Sequence, residues 1–378
     1  MALSTIAHCA PFIPKNGSEI LERLRDRPLD SAARQVRQLQ HDLARDPRNL
    51  ALATDIASRY VVEARRQGDP RYLGYAQGVL GPWWTLPQPP SSVLVLRATI
   101  RQSNHDFDAA LADLSQALEI VPNNAQAWLT RANILQVKGE YEAALQSCER
   151  LSVFAPHFAT ETCLASVASM MGQAEASYKR LQQILAHTPT LLPVQKAWME
   201  TGLAEIATRL DMRSTAEAHF KRALDYGEND PYLKSAYADF LLDSGRPAEV
   251  VRLLSADTRN DGLLLRLALA DQAQDAPELK DRIATLQARF DAARGRDDSV
   301  HLREKARFYT ALVRKPHEAV RLAQANWAVQ KEPVDARVLL EAALAAAEPS
   351  AAQPVVDWMS RYNVEDAALA RLIQRLRP

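Results

Sequence analysis

The sequence predicts an all-α stack of about nine helix pairs, and three observations carry that prediction. A 34-residue unit occurs twice in tandem without a gap, over residues 91–124 and 125–158. Turn-like spots then recur at a similar step through the rest of the chain. The composition fits: 47% hydrophobic and 24% charged residues, with only 12 glycines in 378, is an Ala- and Leu-rich globular balance. A chain of this length makes two or three ordinary domains or one elongated array.

The tandem unit comes first because it sets the register. HDFDAALADL at 105–114 returns as GEYEAALQSC at 139–148. Leu94 falls on Trp128, Ala98 on Ala132, Phe107 on Tyr141, Ala110 on Ala144, Leu114 on Cys148 and Pro122 on Pro156. Each copy holds two apolar stretches at helical spacing joined by a short polar turn, which reads as a helix–turn–helix module. Helices joined so tightly must pack closely. Ala132 and Ala144 let the backbones approach, while Trp128 and Tyr141 fill the space beside them. Pro156 cannot continue the second helix and ends the unit. One pair cannot bury its apolar face alone, so stacking supplies the cover: the period is a packing period.

These residues resemble the tetratricopeptide repeat family, whose pattern places Trp, Leu-Gly, Tyr, Ala, Phe and Pro at fixed intervals. Trp128, Ala132, Leu135, Ala144, Cys148 and Pro156 stand in those places. Arg131, Ala132, Leu135 and Cys148 depart from the pattern's Leu, Gly, Tyr and Phe, and Arg101 takes the Tyr place one unit earlier. The resemblance implies a right-handed α–α superhelix, a tetratricopeptide-like solenoid. GDPRYLGYAQ, AYADFLLDSGRP and HLREKARF are also similar to stretches of uncharacterised bacterial proteins in which such a core follows an export signal. That likeness points to the periplasm, or another exported location, with the cytoplasm as the alternative.

Outside the tandem the repeats are degenerate. Turn-like spots fall at Gly68, His105, Gly139, Gly172, Asp211, Gly245, Asp275, Arg314 and Glu348; 280 residues over eight intervals gives a mean step of 35. Helix starts with a capping Asp before Pro are expected at Asp46-Pro47 and Asp230-Pro231. The expected organisation has five parts. Residues 1–17 form a disordered segment or signal-peptide remnant. Residues 18–90 hold capping helices, a degenerate repeat and a Pro/Trp linker. Residues 91–158 are the two clear units, 159–260 carry degenerate repeats, and 261–378 carry C-terminal degenerate repeats and a cap. In the linker GPWWTLPQPP, Trp83 and Trp84 on an extended segment would face opposite sides. They either cover the end of the core or leave one indole free to dock a partner.

Charge and motifs narrow the function. Forty-six basic and 46 acidic residues cancel, so the chain has no bulk attraction for nucleic acid or an anionic membrane. No apolar run reaches the ~18 residues that span a bilayer. The N-terminus, MALSTIAHCAPFIPKNG, ends its mildly apolar stretch on small residues but lacks a basic leader. HExxH, GxSxG, Walker and GxGxxG motifs are missing from the sequence, and no two of the eight histidines are four residues apart. The reading is therefore no enzyme, no metal and no cofactor.

Cys148 and Cys163 lie about equally far from the turn near Pro156, on facing helices. If the protein is exported they can form a disulfide closing a loop of ~16 residues, worth ~3 kcal/mol. Otherwise they are two small apolar fillers at the seam between repeats.

In the family, the first helix of each repeat lines a concave groove. Carried over, the groove comprises Val95, Thr99 and Gln102 in one unit and Gln126, Leu129, Asn133 and Gln136 in the next. Asn133 stands where family members hold a ligand's backbone amide. Leu129 and Val95 stand where a carboxylate-clamp lysine would be, so that clamp is absent from both units. An apolar and amide surface suits an extended or helical protein segment. The expected function is a non-enzymatic scaffold that binds a peptide or partner helix. The alternative is an accessory or regulatory subunit whose cavity holds a small ligand or supports an enzyme.

Overall fold

The structure, a computed structural model, describes residues 31–227, 230–294 and 301–376. Residues 1–17, expected as a disordered segment or signal remnant, lie outside the described residues, as do 18–30 of the capping segment. The chain divides into two units, residues 1–49 and 50–378. In the first, the described element is helix α1 (Ser31–Arg45). Asp46-Pro47, expected to open a helix, instead forms a turn after α1.

Every described element of the second unit is a helix. Its pairs are α2 (Leu50–Gln67) with α3 (Arg71–Val79), and, after the short α4 (Gly81–Trp84), α5 (Ser91–Ser103) with α6 (Phe107–Ile120). Next come α7 (Ala125–Lys138) with α8 (Tyr141–Leu151) and α9 (His157–Ala168) with α10 (Ala174–His187). They are followed by α11 (Pro193–Arg209) with α12 (Arg213–Asp225) and α13 (Pro231–Asp243) with α14 (Pro247–Leu254). The later pairs are α15 (Asp261–Gln272) with α16 (Leu279–Arg294) and α17 (Leu302–Phe308) with α18 (Pro316–Val329). Last come α19 (Pro333–Ala346), α20 (Gln353–Tyr362) and the closing α21 (Ala367–Leu376). Asp230 accepts from the Tyr232 amide at 2.8 Å with Pro231 in the first turn, as expected of that start.

One backbone device closes the first helix of every pair. Gly68, His105, Gly139, Gly172, Asp211, Gly245, Asp275, Arg314 and Ala347 all adopt a left-handed conformation. At Gly139 the reason is legible: its amide bonds to Gln136 O at 3.0 Å, and the next amide reaches Leu135 O at 2.8 Å. These two bonds satisfy carbonyls that the helix end leaves open. The same backward bond returns at Asp106, Met212, Arg246 and Glu348. At Arg314 it spans one residue more, Lys315 to Tyr309, because Tyr309–Val313 is wound as a π turn. The long step before that turn is thus absorbed inside the helix.

Packing follows the tandem register. Ala132 and Ala144 are 2% and 0% exposed at the α7–α8 crossing, and Tyr141 is fully buried beside them. Trp128 stays half-buried, its indole N–H donating to Pro122 O at 2.9 Å. The Trp83–Trp84 segment departs from expectation. Gly81–Trp84 is a helical turn with Pro82 in its first turn, not an extended strand. Adjacent side chains on a helix diverge by about 100° and not to opposite sides, and both indoles are half-buried against the cluster that holds Leu73, Leu80, Val93 and Ile100.

Late repeats return onto the turns of early ones. The Lys331 amide donates to Val137 O at 2.7 Å, and a side chain at Gly139 would lie 2.9 Å from Lys331 Cδ. Tyr362 donates to Gly139 O at 3.2 Å, the Ala174 amide to Glu365 at 2.7 Å, and Arg371 pairs with Asp211 at 3.2 Å. One core therefore joins α7–α9 to α15–α21.

Candidate functional site

First helices touch in succession from α2 through α5 and α7 to α9, and again from α11 through α13, α15 and α17 to α19, and their stripes form two runs of one face. Its two halves differ in chemistry.

Along α5, α7 and α9 the stripe is uncharged. Gln102 Nε2 donates to Asn133 Oδ1 at 3.0 Å, and Ser166 donates to Gln136 Oε1 at 3.1 Å. Gln126 reaches its own helix at Thr130, 3.0 Å away. Asn133 and Gln126 are exposed, while Leu129, Gln102 and Gln136 are half-buried. Val95 and Thr99, expected on the groove, are 7% and 6% exposed. Val95 is part of the core with Leu94, Ala98 and Ile134, and the Thr99 hydroxyl bonds back to Val95 O at 2.9 Å. Both are buried, whereas Gln102, Gln126, Leu129, Asn133 and Gln136, also expected on the groove, keep accessible surface.

From α11 to α19 the stripe is ionic. Asp239 on α13 receives Arg266 of α15 at 2.5 Å and Arg307 of α17 at 2.7 Å. Burial opposes its ionisation, but those guanidiniums and Arg337 hold its carboxyl below the usual range. Arg337 of α19 reaches back past two repeats to grip Asp243 on α13 with two 2.6 Å bonds. These bonds bring α19 back to α13 across the two intervening repeats. Arg303 lies 3.4 Å from Glu332 and 3.3 Å from Asp335. Burial, then the charge of Asp335, pushes the Glu332 carboxyl up to about 7. Tyr232 donates to Glu205 at 2.6 Å, and burial raises that carboxyl too. Tyr232 and Trp198 remain 56% and 48% exposed. Trp198 shares α11 with Glu205 and Tyr232 bonds to it, so both exposed rings lie beside this ionic stripe.

Sequence reasoning missed this half because its register was not legible beyond residue 190. The signal lay in helical spacing: Val194, Trp198 and Glu205 recur at intervals that return to one face of α11.

Two further features carry other chemistry. A cleft of about 610 Å³ lies between the Gly139 turn and α20, with Glu140, Lys331, Asp357, Arg361 and Tyr362 on its walls. Its charges are of both signs and select no ligand. Tyr178, His219 and Glu200 form a chain of 2.8 and 2.5 Å bonds, with Arg222 on Glu200 at 2.9 Å. Tyr178, His219 and Glu200 are at most 5% exposed, so the chain ties α10, α11 and α12 together out of reach of a substrate. Among the described residues no cluster of three or more His, Cys, Asp or Glu is placed to hold a metal. No described helix is long and apolar enough to cross a membrane.

Cys148 and Cys163 are joined as a disulfide, with Cα atoms 5.5 Å apart across the α8–α9 seam. Both are buried in the shared core, so the bond and the apolar filling coincide.

Comparison with known proteins agrees with this geometry. Residues 102–159 match the family model described as tetratricopeptide repeat. No curated protein matches. A tetratricopeptide repeat protein from Parabacteroides merdae is similar at 17% identity, over 63% of this chain and 92% of that one, with a TM-score of 0.46. The Cut9–Hcn1 heterotetramer of the APC/C is similar at 12% identity over 88% of this chain, with a TM-score of 0.52. This chain spans 64% of that one's length. The human IFIT1 dimer with m7Gppp-AAAA is similar at 11% identity, over 91% and 85% of the two chains, with a TM-score of 0.49. At such identities the likeness speaks to fold. The match over 102–159 is to a tetratricopeptide repeat, and the likeness to the Cut9–Hcn1 structure shows an all-α superhelical repeat fold.

Proposed function

We propose that the protein is a non-enzymatic scaffold that holds another protein against the inner stripe of its repeats. The observation that carries this reading is the pairing of exposed Asn133 with Gln102 across adjacent first helices, beside half-buried Leu129. One amide oxygen of the pair is used internally. The remaining amide groups can meet a backbone, and Leu129 can meet an apolar side chain. Proteins of this fold generally act as interaction scaffolds, which supports the same reading. Export to an oxidising compartment such as the periplasm is proposed with it, because structural disulfides persist there.

The test is affinity capture from the native host with the full-length protein and a variant carrying Asn133→Ala and Leu129→Glu. Both proteins are first checked for equal melting. Loss of captured partners from the variant supports the assignment. Retention of every partner removes these residues from the binding surface.

A further inference from the structure

The ionic half of the inner face carries apolar surface that nothing in the fold covers. Val194, Trp198 and Glu205 sit at helical steps that bring them onto one stripe of α11. Val194 and Trp198 are 52% and 48% exposed, and Tyr232 from the next first helix is 56% exposed. The Tyr232 hydroxyl donates to Glu205, which ties the two helices into one surface.

Charge decides what could lie there. Among the described residues Glu205 has no ion-pair partner; Tyr232 is its hydrogen-bond donor. Asp230 and Glu332 add negative charge near Tyr232 and Glu205. Arg209, four residues on in α11, acts on Glu205 through its charge, but its guanidinium hydrogen-bonds to Ser169 O at 2.9 Å and Ser169 Oγ at 2.8 Å and not to that carboxylate. Arg303 is shared by Glu304, Glu332 and Asp335. Arg65 lies near Asp230.

We propose that the Val194–Trp198–Glu205 stripe with Tyr232 docks an extended segment of a partner protein that carries a lysine or arginine near a bulky apolar residue. Trp198 and Glu205 are two helical turns apart, ~10 Å. An extended chain covers that distance in about three residues, which sets the spacing of the two anchors. The basic group completes Glu205, and the apolar side chain covers Trp198 and Val194. This inference rests on the scaffold reading and adds the chemistry of the partner.

The experiment selects displayed random peptides on the full-length protein under non-reducing conditions, then measures the winners by fluorescence anisotropy. Peptides with a basic residue about three positions from an apolar one are expected. Glu205→Gln should weaken them about tenfold, and Trp198→Ala by a similar factor. Gln keeps the hydrogen bond from Tyr232, so loss of binding in that variant is not loss of fold. Winners without a basic residue, or winners indifferent to both substitutions, overturn the proposal. So do winners that copy a stretch of this chain, since the occupant would then be a second copy. Winners lost on Asn133→Ala with Leu129→Glu, and kept by Glu205→Gln, overturn it while the scaffold reading stands. If no peptide is enriched, the proposal falls, and capture of partners from the native host decides the scaffold reading separately.

Discussion

The indole N–H of Trp358 donates a 3.0 Å hydrogen bond to the hydroxyl of Tyr141, 217 positions earlier in the chain. That hydroxyl donates in turn to Lys331 O at 3.2 Å. Tyr141 is the aromatic that fills the tandem helix crossing, and Trp358 belongs to the last repeat. Burial pushes the phenol above its usual range, so it stays a neutral donor at any ordinary pH. Tyr141→Phe keeps the packing and removes the hydroxyl, leaving the Trp358 N–H and the Lys331 carbonyl without it. The expected loss is ~1–3 kcal/mol in urea unfolding. An unchanged midpoint would mean that this junction contributes nothing to stability.

Ala144 tests the register of the tandem unit. It is fully buried where α7 and α8 cross. Ala144→Leu overpacks that crossing and should cost ~1–3 kcal/mol, read as a lower melting temperature. A melt identical to wild type would place the crossing elsewhere.

The disulfide joins cysteines 15 positions apart. Cys148→Ser with Cys163→Ser should lower stability by ~3 kcal/mol, the loop-closure contribution for that length. Alkylation of denatured, unreduced protein should leave both cysteines unmodified. Full labelling of both would show the pair reduced.

Much of the fold was legible in the sequence, and the reason is the turn. Each of nine expected turns contains or adjoins a left-handed residue, but only Gly68, Gly139, Gly172 and Gly245 announce it by being glycine. His105, Asp211, Asp275, Arg314 and Ala347 adopt the same conformation with a side chain, and there the repeats read as degenerate. The π turn at Tyr309–Val313 leaves no mark beyond a long step. Contacts such as Trp358–Tyr141 and Arg337–Asp243 join residues far apart in sequence, and local periodicity carries no trace of them. They bring the late repeats onto the early turns and α19 back to α13. Val95 and Thr99 sit at the groove positions of the repeat and are nevertheless buried. Position within a repeat assigns a face, whereas exposure depends on tertiary packing.

Glu332 gives a pH signature. Its carboxyl rises from the usual 4.5 to about 7 through burial and the charge of Asp335. In that window the folded chain keeps a proton that the unfolded chain has released. Stability attributable to this group therefore falls as pH rises from 4.5 to about 7, and then levels. Glu205 and Asp366, also raised by burial, act in the same direction. Urea midpoints across the window should fall less steeply in Glu332→Gln. Equal slopes in variant and wild type would show that Glu332 titrates normally.

The most direct measurement places a photo-crosslinking amino acid at position 198, on the inner stripe, or at 153, where the native valine is 86% exposed. Each protein is irradiated in the native host. The account predicts a discrete protein adduct from position 198 that Glu205→Gln diminishes, with none from position 153. Adducts from 153 alone, or equal adducts from both, would contradict an inner-face scaffold.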